Sequence, residues 1–222
     1  MKIKLVKNET QGFDFAKKVL YEKSDLDTVL FLCGGRTPKS LYTSLAREVK
    51  LKVGAIAMLD ERYSFHHQFS NEVMIRESGL VGFAEKKSIG FYPILKFGVG
   101  RIDTAKQYDK TVRHLFNSFP KRIAIMGVGV DGHIAGLPAG FAKESEDYAQ
   151  EYDNFPIDPN ERITLSFKAI SQLDYVIVLA FGEEKLAAFR KMFEKGSVKD
   201  IPARFLEQQL SKKTILITDQ KL

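Results

Sequence analysis

The feature that most constrains this chain is an alternation. Short apolar runs take turns with amphipathic stretches along almost all of its 222 residues. Ile3 to Val6, Thr28 to Cys33, Val53 to Leu59, Ser88 to Tyr92, Arg122 to Met126, Arg162 to Phe167, Tyr175 to Phe181 and Thr214 to Thr218 read as strands. Between them, Phe13, Ala16, Val19 and Leu20 recur at helical spacing, as do Leu41, Tyr42 and Leu45. Further helices are expected from near Asn71 and over Ile102 to Phe116, Glu183 to Glu194 and Arg204 to Leu210. Residues 136–160, with three prolines and several acids, read as irregular. Strands that alternate with helices predict an α/β fold. The expectation is a single domain over 1–222, with a mostly parallel, doubly wound sheet and helices on both faces, a Rossmann-like variant.

Composition removes several function classes. Cys33 is the one cysteine, so no intrachain disulfide and no cysteine zinc site can form. It reads as a small buried residue rather than a nucleophile. The longest clean apolar stretch, Tyr175 to Phe181, is far too short to span a bilayer. MKIKLVKNE has no signal-peptide core, so a cytoplasmic address is expected. The net charge is +6, but the basic residues are scattered and carry no nucleic-acid-binding signature. That charge is compatible with nucleic acid and equally with a small phosphorylated substrate, and the missing signature favours the small substrate, with no nucleic acid or membrane partner expected. The composition is compatible with a monomer or a homo-oligomer.

In such sheets the ligand lies outside the carboxyl ends of the strands. One strand ends in Cys33-Gly34-Gly35-Arg36-Thr37-Pro38. The glycines permit close backbone approach, with Thr37 as N-cap and Pro38 at the first helical position. Such a start is a tight turn, a phosphate site, or both. Another strand ends in Leu59-Asp60-Glu61-Arg62, with Ser70-Asn71 following as candidate helix caps. Gly127, Gly129 and Gly132 form a GxGxxG pattern. The match comes late in the chain, Pro138 interrupts the helix that should follow, and no ribose-binding acid appears, which excludes the dinucleotide reading. The glycines instead shape a loop that presents Asp131 and His133, a candidate base. Arg162 opens a strand, and Lys185 sits in a first helical turn, where a cation is disfavoured unless an anion binds. His66 and His67 are adjacent, which suits convergence on one metal poorly. No metal or cofactor is expected.

Together these residues resemble the 6-phosphogluconolactonase family, within a superfamily shared with the glucosamine-6-phosphate deaminases. Gly34-Gly35-Arg36-Thr37-Pro38 looks like the family's GGSTP loop, Asp60-Glu61-Arg62 its DER motif, and Ser70-Asn71 its SN pair. Gly127 to His133 looks like GxGxDGH, and Arg162-Ile163-Thr164 and Gly182-Glu183-Glu184-Lys185 like two later phosphate-side motifs. The resemblance implies a phosphosugar lactone substrate and no metal. It implies that Gly34, Gly35, Arg36, Thr37, Asp60, Asn71, Gly129, Arg162 and Lys185 bind substrate, with Thr37, Arg162 and Lys185 at the phosphate. His133 would activate water, with Asp131 beside it and Arg62 steadying the developing charge. Arg36 departs from the usual serine. Ile134-Ala135 is nearer the deaminase pattern, but Pro138 replaces the deaminase glutamate and Arg62 the tyrosine of DEY. A deaminase-like enzyme and a non-catalytic phosphosugar sensor are the alternatives.

Overall fold

A computed structural model describes residues 1–221. The chain begins with β1 (Lys2–Leu5), α1 (Glu9–Lys23), β2 (Thr28–Leu32), α2 (Arg36–Glu48), β3 (Ala55–Met58) and β4 (Asp60–Arg62). It continues with α3 (Asn71–Glu77), α4 (Leu80–Lys86), β5 (Gly90–Tyr92), α5 (Arg101–Ser118) and β6 (Lys121–Met126). Then come β7 (Ala149–Tyr152), β8 (Arg162–Leu165), α6 (Phe167–Ser171) and β9 (Tyr175–Leu179). A 3-10 turn over Glu183–Lys185 runs into α7 (Leu186–Phe193), and α8 (Arg204–Gln208) and β10 (Thr214–Thr218) complete the order.

Seven strands form the main sheet in the order β1-β10-β9-β6-β2-β3-β5, and every neighbouring pair is parallel. Every residue of β2, β3 and β10 is buried. Their near-continuous apolar content follows from that, because a parallel sheet is covered on both faces. From β2 the chain winds outward through β3 to β5, then returns to β6 on the other side of β2 and winds out through β9 and β10. Crossovers of one hand that run in opposite directions place helices on opposite faces. The reversal falls between β2 and β6, and a crevice opens there outside their carboxyl ends. Among the described residues no helix is long and apolar enough to cross a membrane.

A second sheet, β4-β8-β7, is antiparallel and corrects the sequence reading in three places. Asp60-Glu61-Arg62 is a strand in its own right, not the solvated end of its predecessor. The strand expected over Arg162 to Phe167 stops at Leu165 and lies outside the parallel sheet. β7 arises inside the stretch read as irregular. Leu59 is the joint between the sheets: its N–H donates to Leu32 O at 2.8 Å, and its carbonyl accepts from the Leu165 N–H at 2.8 Å. Short helices at α4 and α6 also go beyond the sequence reading, and the helix expected from Glu183 opens as a 3-10 turn. Ser166 starts α6 by accepting from the Ala169 N–H, which ends β8.

Candidate active site

A cavity of about 630 Å³ opens at the switch point. Its walls come from both sheets. Cys33 to Pro38 and Gly127 to Gly129 follow β2 and β6, Asp60 and Arg62 come from β4, and Lys185 follows β9. Asn71 and His133 also line it.

One end is built to attract an anion. α2 begins at Arg36, with Gly35 as N-cap at φ 112°. That left-handed conformation favours glycine and turns the chain straight from β2 into the helix. No side chain caps the helix, and no acid sits in its first turn. The expected N-cap role of Thr37 is therefore a correction: Thr37 is the second helical residue and Pro38 the third. Proline is tolerated there because first-turn N–H groups have no intrahelical partner. Arg36 is exposed and Thr37 half-buried at this mouth. Opposite, half-buried Lys185 donates from Nζ to Val128 O at 2.9 Å. Burial holds its pKa below the ordinary value, against the pull of Glu184 and Asp131. A bound anion would relieve that cost.

The other end carries a histidine–carboxylate pair. The loop after β6 is a tight turn in which Gly132 N–H donates to Gly129 O at 3.0 Å and Gly129 N–H to His133 O at 2.9 Å. A side chain at Gly129 would collide with the His133 ring and the Asp131 carboxylate. The third glycine, Gly132, has φ +93°. The Asp131 carboxylate accepts from the His133 N–H at 3.1 Å and lies 2.6 Å from His133 Nδ1. Burial pushes the Asp131 carboxyl up, but the hydrogen bond and charge of His133 and nearby backbone N–H groups outweigh it and hold it at about 2. His133 lines the cavity and Asp131 does not. Nδ1 faces Asp131, which leaves Nε2 free for chemistry.

Between the two ends, Arg62 donates from Nη1 to Asn71 Oδ1. Asn71 Nδ2 donates to Asp60 O at 3.0 Å and to Asp60 Oδ2 at 3.2 Å. Asp60 is buried, and that burial raises its carboxyl pKa against the opposing charges of Arg62, Arg162 and His133. Asn71 occupies the space a side chain at Gly34 would take, so the glycine loop and α3 interlock.

Arg162 stands apart from the other expected site residues. It is 4% exposed and does not line the cavity. It lies directly across from Arg62 in the β4–β8 register, and its guanidinium donates to Ile157 O and Glu161 O, each at 3.0 Å. Burial and the charge of Arg62 lower its pKa to about 10. The guanidinium stacks 4.4 Å from the Phe155 ring centroid, and Phe155 in turn meets His133 edge-on at 5.2 Å. Phe155 thus forms the wall behind the histidine; nothing in the sequence of its irregular Asn-Phe-Pro neighbourhood announces that. Among the described residues no three His, Cys, Asp or Glu side chains converge as metal ligands, and His66 and His67 sit at the start of a 3-10 turn outside the cavity lining.

Fold and site define an α/β enzyme whose switch-point cavity pairs an anion-attracting end with a histidine backed by a carboxylate. Residues 14–216 match the family of glucosamine-6-phosphate isomerases and 6-phosphogluconolactonases, and the chain belongs to that family. A 6-phosphogluconolactonase of Nostoc sp. is 31% identical, over 80% of this chain and 77% of its own length. A glucosamine-6-phosphate deaminase of Streptococcus suis is 24% identical over 99% and 97%. The crystal structure of the Thermotoga maritima 6-phosphogluconolactonase superposes with a TM-score of 0.79 at 26% identity, covering 98% of each chain.

Proposed function

We propose that the chain hydrolyses 6-phospho-D-glucono-1,5-lactone to 6-phosphogluconate. The observation that carries this reading is His133, held by Asp131 outside the lining, facing the same cavity as the uncapped α2 N-terminus and Lys185. A lactone carbonyl is reactive enough to need only an oriented water and a stabilised oxyanion. Asp131 holds Nδ1, so Nε2 of His133 accepts a proton from water as its oxygen bonds to the lactone carbon. The carbonyl oxygen becomes an oxyanion, which Arg62 steadies. When the intermediate collapses, the bond from that carbon to the ring oxygen breaks. The imidazolium returns its proton to the ring oxygen, which leaves as a hydroxyl, and the new carboxylic acid ionises.

Gly34, Gly35, Arg36, Thr37 and Lys185 hold the phosphate in this reading, and Asp60, Asn71 and Gly129 shape the sugar subsite. Arg162 is reassigned from a phosphate contact to support of the Phe155 wall. The alternative, deaminase chemistry, is weakened by Pro138, a buried residue that brings no acid to the position where the resemblance expects one. A phosphorylated sugar acid does not cross a membrane unaided, so the reading carries a cytoplasmic location with it. The test supplies fresh 6-phosphogluconolactone and follows acid release above the spontaneous rate, with glucosamine 6-phosphate as the control. Ammonia release from the control, with no acceleration on the lactone, would overturn the reading.

A further inference from the structure

One buried acid takes no part in the chemistry above. Glu61 lies in the middle of β4, and alternation along the strand turns it away from the cavity that Asp60 and Arg62 face. It is 0% exposed, and its burial pushes the carboxyl up to about 7. No cation lies within ion-pair distance of it among the described residues. Its oxygens are nevertheless fully engaged. Oε1 accepts from the backbone N–H of Arg62 and of Asn71, both at 2.8 Å. Oε2 accepts from the Glu72 N–H at 2.8 Å and from Ser70 Oγ at 3.0 Å.

These donors are not a random set. Two belong to Arg62 and Asn71, whose side chains meet each other in the cavity. One oxygen thus ties together the backbones of the two residues that form the cavity's guanidinium–amide contact. The Asn71 amide is also committed to Asp60, so movement of α3 would displace that whole group. Capping alone does not explain a carboxylate here. Ser70 already caps α3 by accepting from the Val73 N–H at 3.1 Å. Burying an unpaired charge is expensive, and a neutral amide could not serve the same donors. Glutamine could keep its oxygen on the Arg62 and Asn71 N–H groups, but its amide nitrogen would then face the Glu72 N–H, donor to donor.

We propose that Glu61 is a positioning residue for the lactone-opening step: it acts through Arg62 and Asn71 by fixing β4 and the start of α3 in one register. The proposal rests on the functional reading above.

The test is a kinetic cycle on the full chain with 6-phosphogluconolactone, comparing the parent, E61Q, R62A and E61Q/R62A. E61Q is expected to lower kcat by about 10- to 100-fold, the scale of a misplaced catalytic group, while KM moves far less. In the R62A background it should cost almost nothing more, because the group it positions is gone. Equal losses in both backgrounds would overturn the proposal, since Glu61 would then act on the fold at large. An unchanged kcat in E61Q would overturn it too. A parent chain that does not open the lactone sinks the functional reading instead. The positioning is then read by nitrogen-15 NMR, with the Arg62 side-chain N–H signal identified by its loss in R62A. That signal should be displaced from the bulk arginine signals in the parent and collapse onto them in E61Q; a signal that E61Q leaves in place rejects the role. If E61Q does not fold, Glu61→Asp, which keeps the charge but withdraws it by one methylene, enters the same cycle with the same two outcomes.

Discussion

In the proposed mechanism His133 and Asp131 divide one task, and single substitutions separate the parts. His133→Ala removes the proton acceptor and should lower kcat by about 100-fold or more with little change in KM, as measured by steady-state lactone hydrolysis. A variant of undiminished kcat would return His133 to a structural role. Asp131 also carries a stability signature. Its carboxyl is held at about 2 in the fold, below the ordinary 3.8, so its contribution is present above pH 3.8 and lost as pH falls toward 2. Part exposure keeps that contribution to roughly 1–2 kcal/mol. Urea unfolding of the parent and Asp131→Asn should therefore differ at pH 5 and converge near pH 2. A gap that is constant with pH would mean the native carboxyl is not depressed. Both residues are legible in the sequence, because an Asp-Gly-His turn after a strand leaves few other uses for its side chains. Arg162 is not: a cation at the start of a four-residue strand looks the same whether the strand joins a parallel sheet or a second, antiparallel one. Only the pairing with β4 reveals that Arg162 packs on Phe155 and donates to two carbonyls.

At the scale of elements, the site is made by short connections that leave no slack. The loop from Gly127 to His133 closes on itself through backbone hydrogen bonds and packs its histidine and aspartate over Gly129. Gly129→Ala should thus leave the sheet intact but move the proposed catalytic pair. We expect at least about a 10-fold loss of kcat from that displacement, against a thermal midpoint within a few degrees of the parent. A variant that melts much earlier and keeps its kcat when cold would show that Gly129 serves the fold alone. The buried strands and well-patterned helices are legible because burial on both sheet faces writes itself into near-continuous apolar runs. β7, of sequence Ala-Gln-Glu-Tyr, has no such run. It exists because β8, beyond an irregular connection, offers it an edge and the distant α5 packs against it, and neither contact is written in its own four residues. Likewise the start of α2 is set by the positive φ of Gly35, not by the hydroxyl of Thr37 that looked like the better cap.

Across the whole molecule, the cavity is where the two sheets meet, and a ligand that fills it touches both. The anion end belongs to the parallel sheet through α2 and the turn after β9, while Asp60 and Arg62 belong to β4 of the antiparallel sheet. A sugar phosphate that spans the cavity binds only when both are in place, so its binding energy becomes resistance to unfolding. The product, 6-phosphogluconate, is chemically inert here and suits the measurement. At 100 times its dissociation constant it should add about 2.7 kcal/mol to native stability. For a chain of this size that raises the thermal midpoint by roughly 5–10 °C. Gluconate at the same concentration lacks the phosphate and should shift the midpoint little. Lys185→Ala should remove most of the difference between the two ligands, because half-buried Lys185 lines the anion end. Equal shifts by 6-phosphogluconate and gluconate would mean that the α2 end of the cavity holds no phosphate, and the substrate assignment would fall with it.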